Sequence, residues 1–186
     1  MLKIGHINIK SLSNKRNELY NFNSGNNTHI FSINETWLKP NKELNFPNYS
    51  IVRKDRTDSV GGGVALLIKK TIPFEEISLD NFNTESIGIR ITNGSTNMVI
   101  VSYYKQPQSE MNIDLIKSLE RNFDNLIILG DLNLHHPRLH SSRMNQAGSD
   151  FFDYLDSEDS NLLITNNDSP TFLPPHLTMV LFSTLS

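Results

Sequence analysis

The sequence predicts an α+β fold, a four-layer α/β-sandwich with two central mixed β-sheets flanked by helices. Three observations lead to it. Short β-like runs fill the middle of the chain, at Tyr49 to Arg53, Val64 to Lys69, Ser86 to Ile91 and Met98 to Tyr104. Segments with helical spacing of apolar residues lie on both sides of that middle. No repeat, heptad array or low-complexity linker divides the 186 residues, so the elements are expected to be layers of a single domain, 1–186.

Taken in order, residues 2–9 alternate and are rich in Ile, the pattern of a strand. Ser11 or Ser13 is placed to cap a helix that turns Leu12, Leu19 and Phe22 toward the core and Lys15, Arg16 and Glu18 toward water. That helix is expected to fade at Gly25-Asn26. Residues 29–34 form a second apolar run of strand length, with Glu35 directly after it. Residues 110–123 return to helical spacing, with Ile113, Ile116, Leu119 and Phe123 on one side. Leu126 to Leu129 is a buried strand running into Gly130-Asp131-Leu132-Asn133. A helix after Gly148, with Ser149 as its cap, is expected to bury Phe152 and Leu155. Strand-like runs at Leu162 to Thr165 and Met179 to Phe182 follow.

Composition narrows the chemistry. With no cysteine, a disulfide framework and any thiolate metal site are excluded, so a bound metal would need oxygen or imidazole ligands, which favours magnesium or manganese over zinc. The net charge of −3 is not that of a tight, sequence-blind DNA binder. Its distribution is uneven: residues 1–70 hold 11 Lys/Arg against 5 Asp/Glu, and residues 71–186 hold 6 against 15. One part of the surface is thereby suited to a phosphate backbone and another to a cation. No apolar stretch approaches the ~20 residues of a membrane span, and the N-terminus lacks a signal-peptide pattern. An intracellular protein without a membrane partner is expected.

Polar groups fall at the exits of three apolar strands: Asn8 after Ile7, Glu35 after Ile33, and Asp131 with Asn133 after Leu129. Strand exits bring distant segments to one rim, where active sites are commonly assembled. Each group also has a plain reading as the start of a turn. The stretch His135-His136-Pro137-Arg138-Leu139-His140 is a poor zinc site, because Pro137 opposes the helix needed to bring its histidines together. The glycines at 61–63 lack the following Lys-Ser/Thr of a phosphate loop and open a strand, so they are read as a turn.

Together these segments resemble the endonuclease/exonuclease/phosphatase superfamily, and in particular the endonuclease domain of a non-LTR (jockey-like) retrotransposon RNA-directed DNA polymerase. His6-Ile7-Asn8-Ile9-Lys10-Ser11-Leu12 is similar to that branch's opening motif, and Asn34-Glu35-Thr36-Trp37-Leu38 to its Glu-Thr-Trp-Leu segment. Gly61-Gly62-Gly63-Val64-Ala65 resembles its glycine-led strand. Tyr104-Lys105-Gln106-Pro107 resembles its Tyr-x-Pro-Pro turn with one proline lost. Gly130-Asp131-Leu132-Asn133-Leu134-His135-His136-Pro137 resembles its Gly-Asp-Phe-Asn-Ala-His-His-Pro signature, and Pro170-Thr171-Phe172 its Pro-Thr-Phe.

The resemblance implies phosphodiester hydrolysis that nicks DNA with Mg2+ (or Mn2+). Phosphodiester hydrolysis needs a cation against the phosphoryl charge, an oriented water and help for the departing alkoxide. Glu35 and Asn8 are then the metal residues, magnesium being held by one or two carboxylates plus water and phosphate. Asp131, Asn133 and Tyr104 form the catalytic group, Asp131 taking a proton from or aligning the attacking water. Tyr104 either donates to the scissile phosphate or is a buried structural tyrosine. Asn8, Asn133, His136 and Arg138 are the expected substrate contacts. DNA is the expected partner, with a reverse transcriptase domain in a parent polyprotein and a nuclear site of action on DNA, otherwise a cytoplasmic one.

The sequence departs from the family pattern near its end. Thr178 stands where an aspartate is expected, and the chain stops at Ser186 before the family's closing Ser-Asp-His, which suggests a domain incomplete at the C-terminus. Two alternatives follow: a catalytically impaired remnant that folds or binds nucleic acid without cleaving, and a same-fold phosphatase.

Overall fold

The computed structural model describes residues 2–94, 96–165 and the backbone of the strand at 179–183. The first sheet contains β1 (Ile4–Asn8), β2 (Ile30–Asn34), β3 (Tyr49–Lys54) and β4 (Val64–Lys69), in the order β1-β2-β4-β3. The second contains β5 (Phe74–Ile77), β6 (Glu85–Asn93), β7 (Thr96–Tyr104), β8 (Leu126–Gly130), β9 (Leu162–Ile164) and β10 (Met179–Ser183), in the order β5-β6-β7-β8-β10-β9. Both are mixed, because β1 runs parallel to β2 and β7 parallel to β8 while their other pairings are antiparallel.

The three helices are α1 (Leu12–Asn26), α2 (Ile113–Asn122) and α3 (Gln146–Leu155). Strand alternation decides which residues face which layer. Ile30, Leu66 and Ile68 of the first sheet meet Ile89, Ile100 and Ile127 of the second in a central apolar layer. On the outer side of the first sheet, Phe31, Ile33 and Leu67 pack with Leu12 and Leu19 of α1. On the outer side of the second, Val99, Val101 and Ile128 pack with Leu115 and Leu119 of α2 and Phe151 of α3. The result is the expected four-layer sandwich. Among the described residues, no helix is long and apolar enough to cross a membrane.

Three local expectations are corrected. Phe22 is 55% exposed, with an edge contact to the ring of Phe31. The cap of α3 is Asn145, whose Oδ1 accepts from Gly148 N at 2.9 Å, and Ser149 lies inside the helix. Gly148 therefore marks a close approach and not a break, since a Cβ there would come within 2.4 Å of the His135 carbonyl oxygen. Strand β5 was not anticipated, because Glu75 and Glu76 interrupt its apolar pattern. As an edge strand paired only with β6 among the described residues, it tolerates those charges.

Candidate active site

Register carries the polar residues of four strands to one end of the sandwich. In the β1/β2 pair, His6 is opposite Ser32 and Asn8 opposite Asn34, and all four share the face turned to the second sheet. There His6 Nδ1 lies 2.9 Å from Ser32 Oγ, which donates to Ser102 Oγ of β7 at 2.8 Å. Asn34 Nδ2 donates to the same Ser102 oxygen at 3.2 Å, and Asn34 Oδ1 accepts from Asp131 N at 2.7 Å. Buried polar groups are costly unless paired, so this chain of bonds fixes the sheets' relative position at the rim and sets Asp131 in place.

Asp131 is 2% exposed. Its Oδ2 accepts from Asn8 Nδ2 at 2.7 Å and its Oδ1 from Asn133 N at 3.2 Å. Asn133 adopts φ 46°, and its Nδ2 donates to the Lys105 carbonyl at 2.8 Å. Asn145 ties this loop to α3 by donating to the Asn133 carbonyl at 2.9 Å and accepting from His135 N at 3.0 Å.

Glu35 enters from the end of β2 on an unusual backbone. Glu35 and Trp37 have φ of 57° and 54°, each a strain of order 1–3 kcal/mol that the surrounding structure must hold. Thr36, buried between them, donates its N–H to Gly63 O at 3.2 Å, and Trp37 N donates to Gly62 O at 2.9 Å. Gly63, at φ +83°, is dictated by this contact, because a Cβ on it would lie 2.5 Å from Thr36 Oγ1.

The Glu35 carboxylate accepts from Tyr104 OH, from Trp37 Nε1 and from Gly62 N at 3.0 Å. Burial pushes its pKa upward, but those hydrogen bonds and the Arg56 charge outweigh burial and hold it below the usual value. Tyr104 is pushed well above the ordinary phenol range by burial first, then by Glu35 and by Asp131. The backbone joins the two carboxylates' surroundings, because Lys105 N, next to Tyr104, donates to the Asp131 carbonyl at 3.1 Å. Arg56 reinforces the arrangement: it pairs with Glu85 and lies 5.7 Å from the Tyr104 ring centre, while Glu85 Oε2 accepts from Gly63 N at 2.6 Å.

Asn8, Glu35, Tyr104, Asp131 and Asn133 are therefore brought together. The contacts of His136 and Arg138 run to α3: His136 stacks on Phe152 with ring centres 4.2 Å apart, and Arg138 pairs with Asp156 at 2.7 Å. Pro170-Thr171-Phe172 and Thr178 lie outside the described residues. Sequence reasoning missed Asn34, Ser102, Arg56, Glu85 and Asn145. Asn34 had a visible signal, a polar residue within an apolar strand and next to Glu35; the others depend on contacts made only across the fold.

The donor set fits magnesium or manganese. Asn8 Oδ1 is buried with no hydrogen-bond partner, an amide oxygen left for a ligand close to Asp131. Among the described residues no three His, Cys, Asp or Glu side chains converge as a metal cage. The oxygen donors at this rim are the Glu35 carboxylate and the Asn8 amide, the kind of ligand magnesium takes from protein alongside water and phosphate. Beside Tyr104 a depression of about 700 Å3 opens, bounded by Arg56, Glu85, Lys105 and Asp114. Lys105 is buried. Burial lowers its pKa, partly offset by Asp131, and its Nζ donates to the carbonyls of Gln106 and Ser109, both at 2.9 Å.

Comparison with known proteins bears on the fold that holds these residues. A family described as endonuclease-reverse transcriptase matches residues 98–184. No curated protein sequence gives a significant match. Among solved structures, the endonuclease domain of TRAS1, a telomere-specific non-LTR retrotransposon, superposes with TM-score 0.77 at 18% identity, covering 99% of this chain and 85% of that one. The 3' phosphatase NExo from Neisseria, bound to product DNA hairpin, gives 0.61 at 15% identity, covering 98% and 87%. The mannosyl-6-phosphatase of Bacteroides thetaiotaomicron gives 0.60 at 12% identity, covering 98% and 85%. Residues 98–184 thus match the family described as endonuclease-reverse transcriptase, and the chain as a whole shares the α+β sandwich fold of these solved structures.

Proposed function

We propose that this chain is a divalent-metal phosphodiesterase that nicks DNA, the endonuclease part of a non-LTR retrotransposon protein that also carries a reverse transcriptase and acts on nuclear DNA. The observation that carries this reading is the joining of Asn8 and Asp131, 123 residues apart, by a 2.7 Å hydrogen bond at the same rim as the Glu35–Tyr104 pair. Glu35 and the unpartnered Asn8 Oδ1 are the groups to hold magnesium or manganese, which would offset charge on the phosphoryl oxygens. Asp131, fixed in orientation by Asn8 and Asn133, is the acceptor for a proton from the attacking water. Asn133 and Asn8 are uncharged and can bond phosphate oxygens without repelling them. His136 and Arg138 stand further out on the α3 side as contacts for the flanking backbone, Arg138 on exchanging its exposed partner Asp156 for phosphate.

The fold is similar to that of DNA-processing enzymes and of a sugar phosphatase, so the nuclease reading has the phosphatase as its specific competitor. Supercoiled plasmid with Mg2+ separates the readings. Wild-type chain is expected to give open-circular product, with a loss of several orders of magnitude in Glu35→Ala and Asp131→Asn. Hydrolysis of a small phosphomonoester without nicking would establish the phosphatase instead, and neither activity would leave the non-cleaving remnant.

A further inference from the structure

Trp37 is the only tryptophan of the chain, and the fold leaves it 46% exposed beside Glu35. Its orientation is set from two sides. The indole N–H is given to Glu35 Oε2, and the left-handed backbone of Trp37 is held by its 2.9 Å bond to Gly62 O. A large aromatic ring in a strained backbone conformation, and not buried, is a costly arrangement for structure alone. Among the described residues no ring or cation stacks on this indole, although Arg16, Arg56, Arg90, Lys117 and Arg138 all cover other aromatic rings. Gly61 passes the edge of the indole, a Cβ there standing 3.5 Å from Nε1, and its neighbour Val60 is 90% exposed. The open ring therefore sits one hydrogen bond from a carboxylate of the site, in the half of the chain that carries the excess of Lys and Arg.

We infer that Trp37 is a stacking platform for the nucleobase of the nucleotide next to the phosphate held at Glu35. The inference rests on the nuclease reading above. A polyanion drawn to the basic half brings its backbone to the rim, and a phosphate at Glu35 leaves an adjoining base within reach of the indole. Every base has a π-face, so such a platform adds affinity with little sequence preference. The Trp37 N–H, already committed to Glu35, is not available to read a base edge, which points the same way.

Because Trp37 is the sole tryptophan, its emission reports the contact directly. The wild-type chain is titrated with a short fluorescein-labelled oligonucleotide at low salt with Ca2+ in place of Mg2+, following label anisotropy and, with unlabelled DNA, tryptophan emission. Rising anisotropy with quenched emission is expected, and the quench should vanish for an oligonucleotide made of abasic residues throughout. Trp37→Ala should weaken binding about 5- to 100-fold on intact DNA and less than about 2-fold on the abasic form, with Trp37→Phe restoring most of the loss. Rising anisotropy with unchanged emission would overturn the platform and leave the nuclease reading standing. No rise in anisotropy would remove DNA as the partner and both readings with it. The quench needs no variant, so poor folding of Trp37→Ala would not blunt the test.

Discussion

Removing one oxygen from Tyr104 tests how the site is held together. Tyr104→Phe keeps the ring beneath Arg56 and deletes the hydrogen bond to Glu35 Oε1. A hydrogen bond to a charged group contributes about 1.5–3 kcal/mol. Glu35 is only partly buried, so water replaces some of the loss and about 1–2 kcal/mol is expected. For a chain of this size that is a drop in Tm of roughly 2–8 °C at pH 7. The pH dependence has a definite sign. Burial raises the Glu35 pKa, but the bonds from Tyr104, Trp37 and Gly62 and the Arg56 charge lower it by more. A carboxyl depressed in the folded state stabilises above its unfolded pKa, and that contribution fades as pH falls through the folded value. The gap between wild type and Tyr104→Phe should therefore be full at neutral pH and narrow below about pH 4. Urea unfolding at pH 7 and at several points below pH 5 measures it. Equal midpoints at pH 7, or a gap of constant size at every pH, would refute the reasoning.

Two further outcomes follow from the same geometry. Gly63→Ala combines a left-handed backbone with a collision against Thr36 Oγ1, whereas Gly94→Ala has the backbone strain (φ +64°) and open space. The first should cost about 2–4 kcal/mol and the second about 1, so equal losses in thermal melts would remove the Thr36 contact as the cause. His6 is held neutral by burial, its pKa lowered from 6.5 to about 3, and its Nε2 is buried without a partner. The unfolded chain binds this proton first, so stability should fall by about 1 kcal/mol per unit as pH drops through the window between those two values. His6→Gln should flatten that slope in urea midpoints between pH 6 and 4, and an unchanged slope would assign the acid sensitivity to other groups.

Much of the fold was legible because its signals are local. Alternation and apolar runs gave β1, β2, β4, β7 and β8, and the 3.6-residue spacing gave α2, since each element buries a face whose pattern lies in adjacent residues. Where a signal depended on a neighbour, sequence reasoning failed. The charged edge strand β5 showed no strand pattern, Gly148 looked like the residue before a helix until the His135 carbonyl explained its place inside one, and Phe22 kept helical spacing but stands 55% exposed. The candidate site divides the same way. Strand exits marked Asn8, Glu35, Asp131 and Asn133, because a polar group ending an apolar run is visible in one dimension.

By itself, then, the sequence determined the kinds of element, the oxygen-or-imidazole metal chemistry open to a chain without cysteine, and the residues standing at the strand ends. Only the tertiary structure decided which of those residues meet. The parallel register of β1 with β2 and of β7 with β8 sets Asn8 against Asp131, Glu35 against Tyr104, and the Ser32–Ser102–Asn34 bonds between the sheets. Contacts across a hundred residues depend on how two twisted sheets stack, and no local pattern encodes that. The same stacking turned Arg56 onto Glu85 and left the Trp37 indole open to solvent.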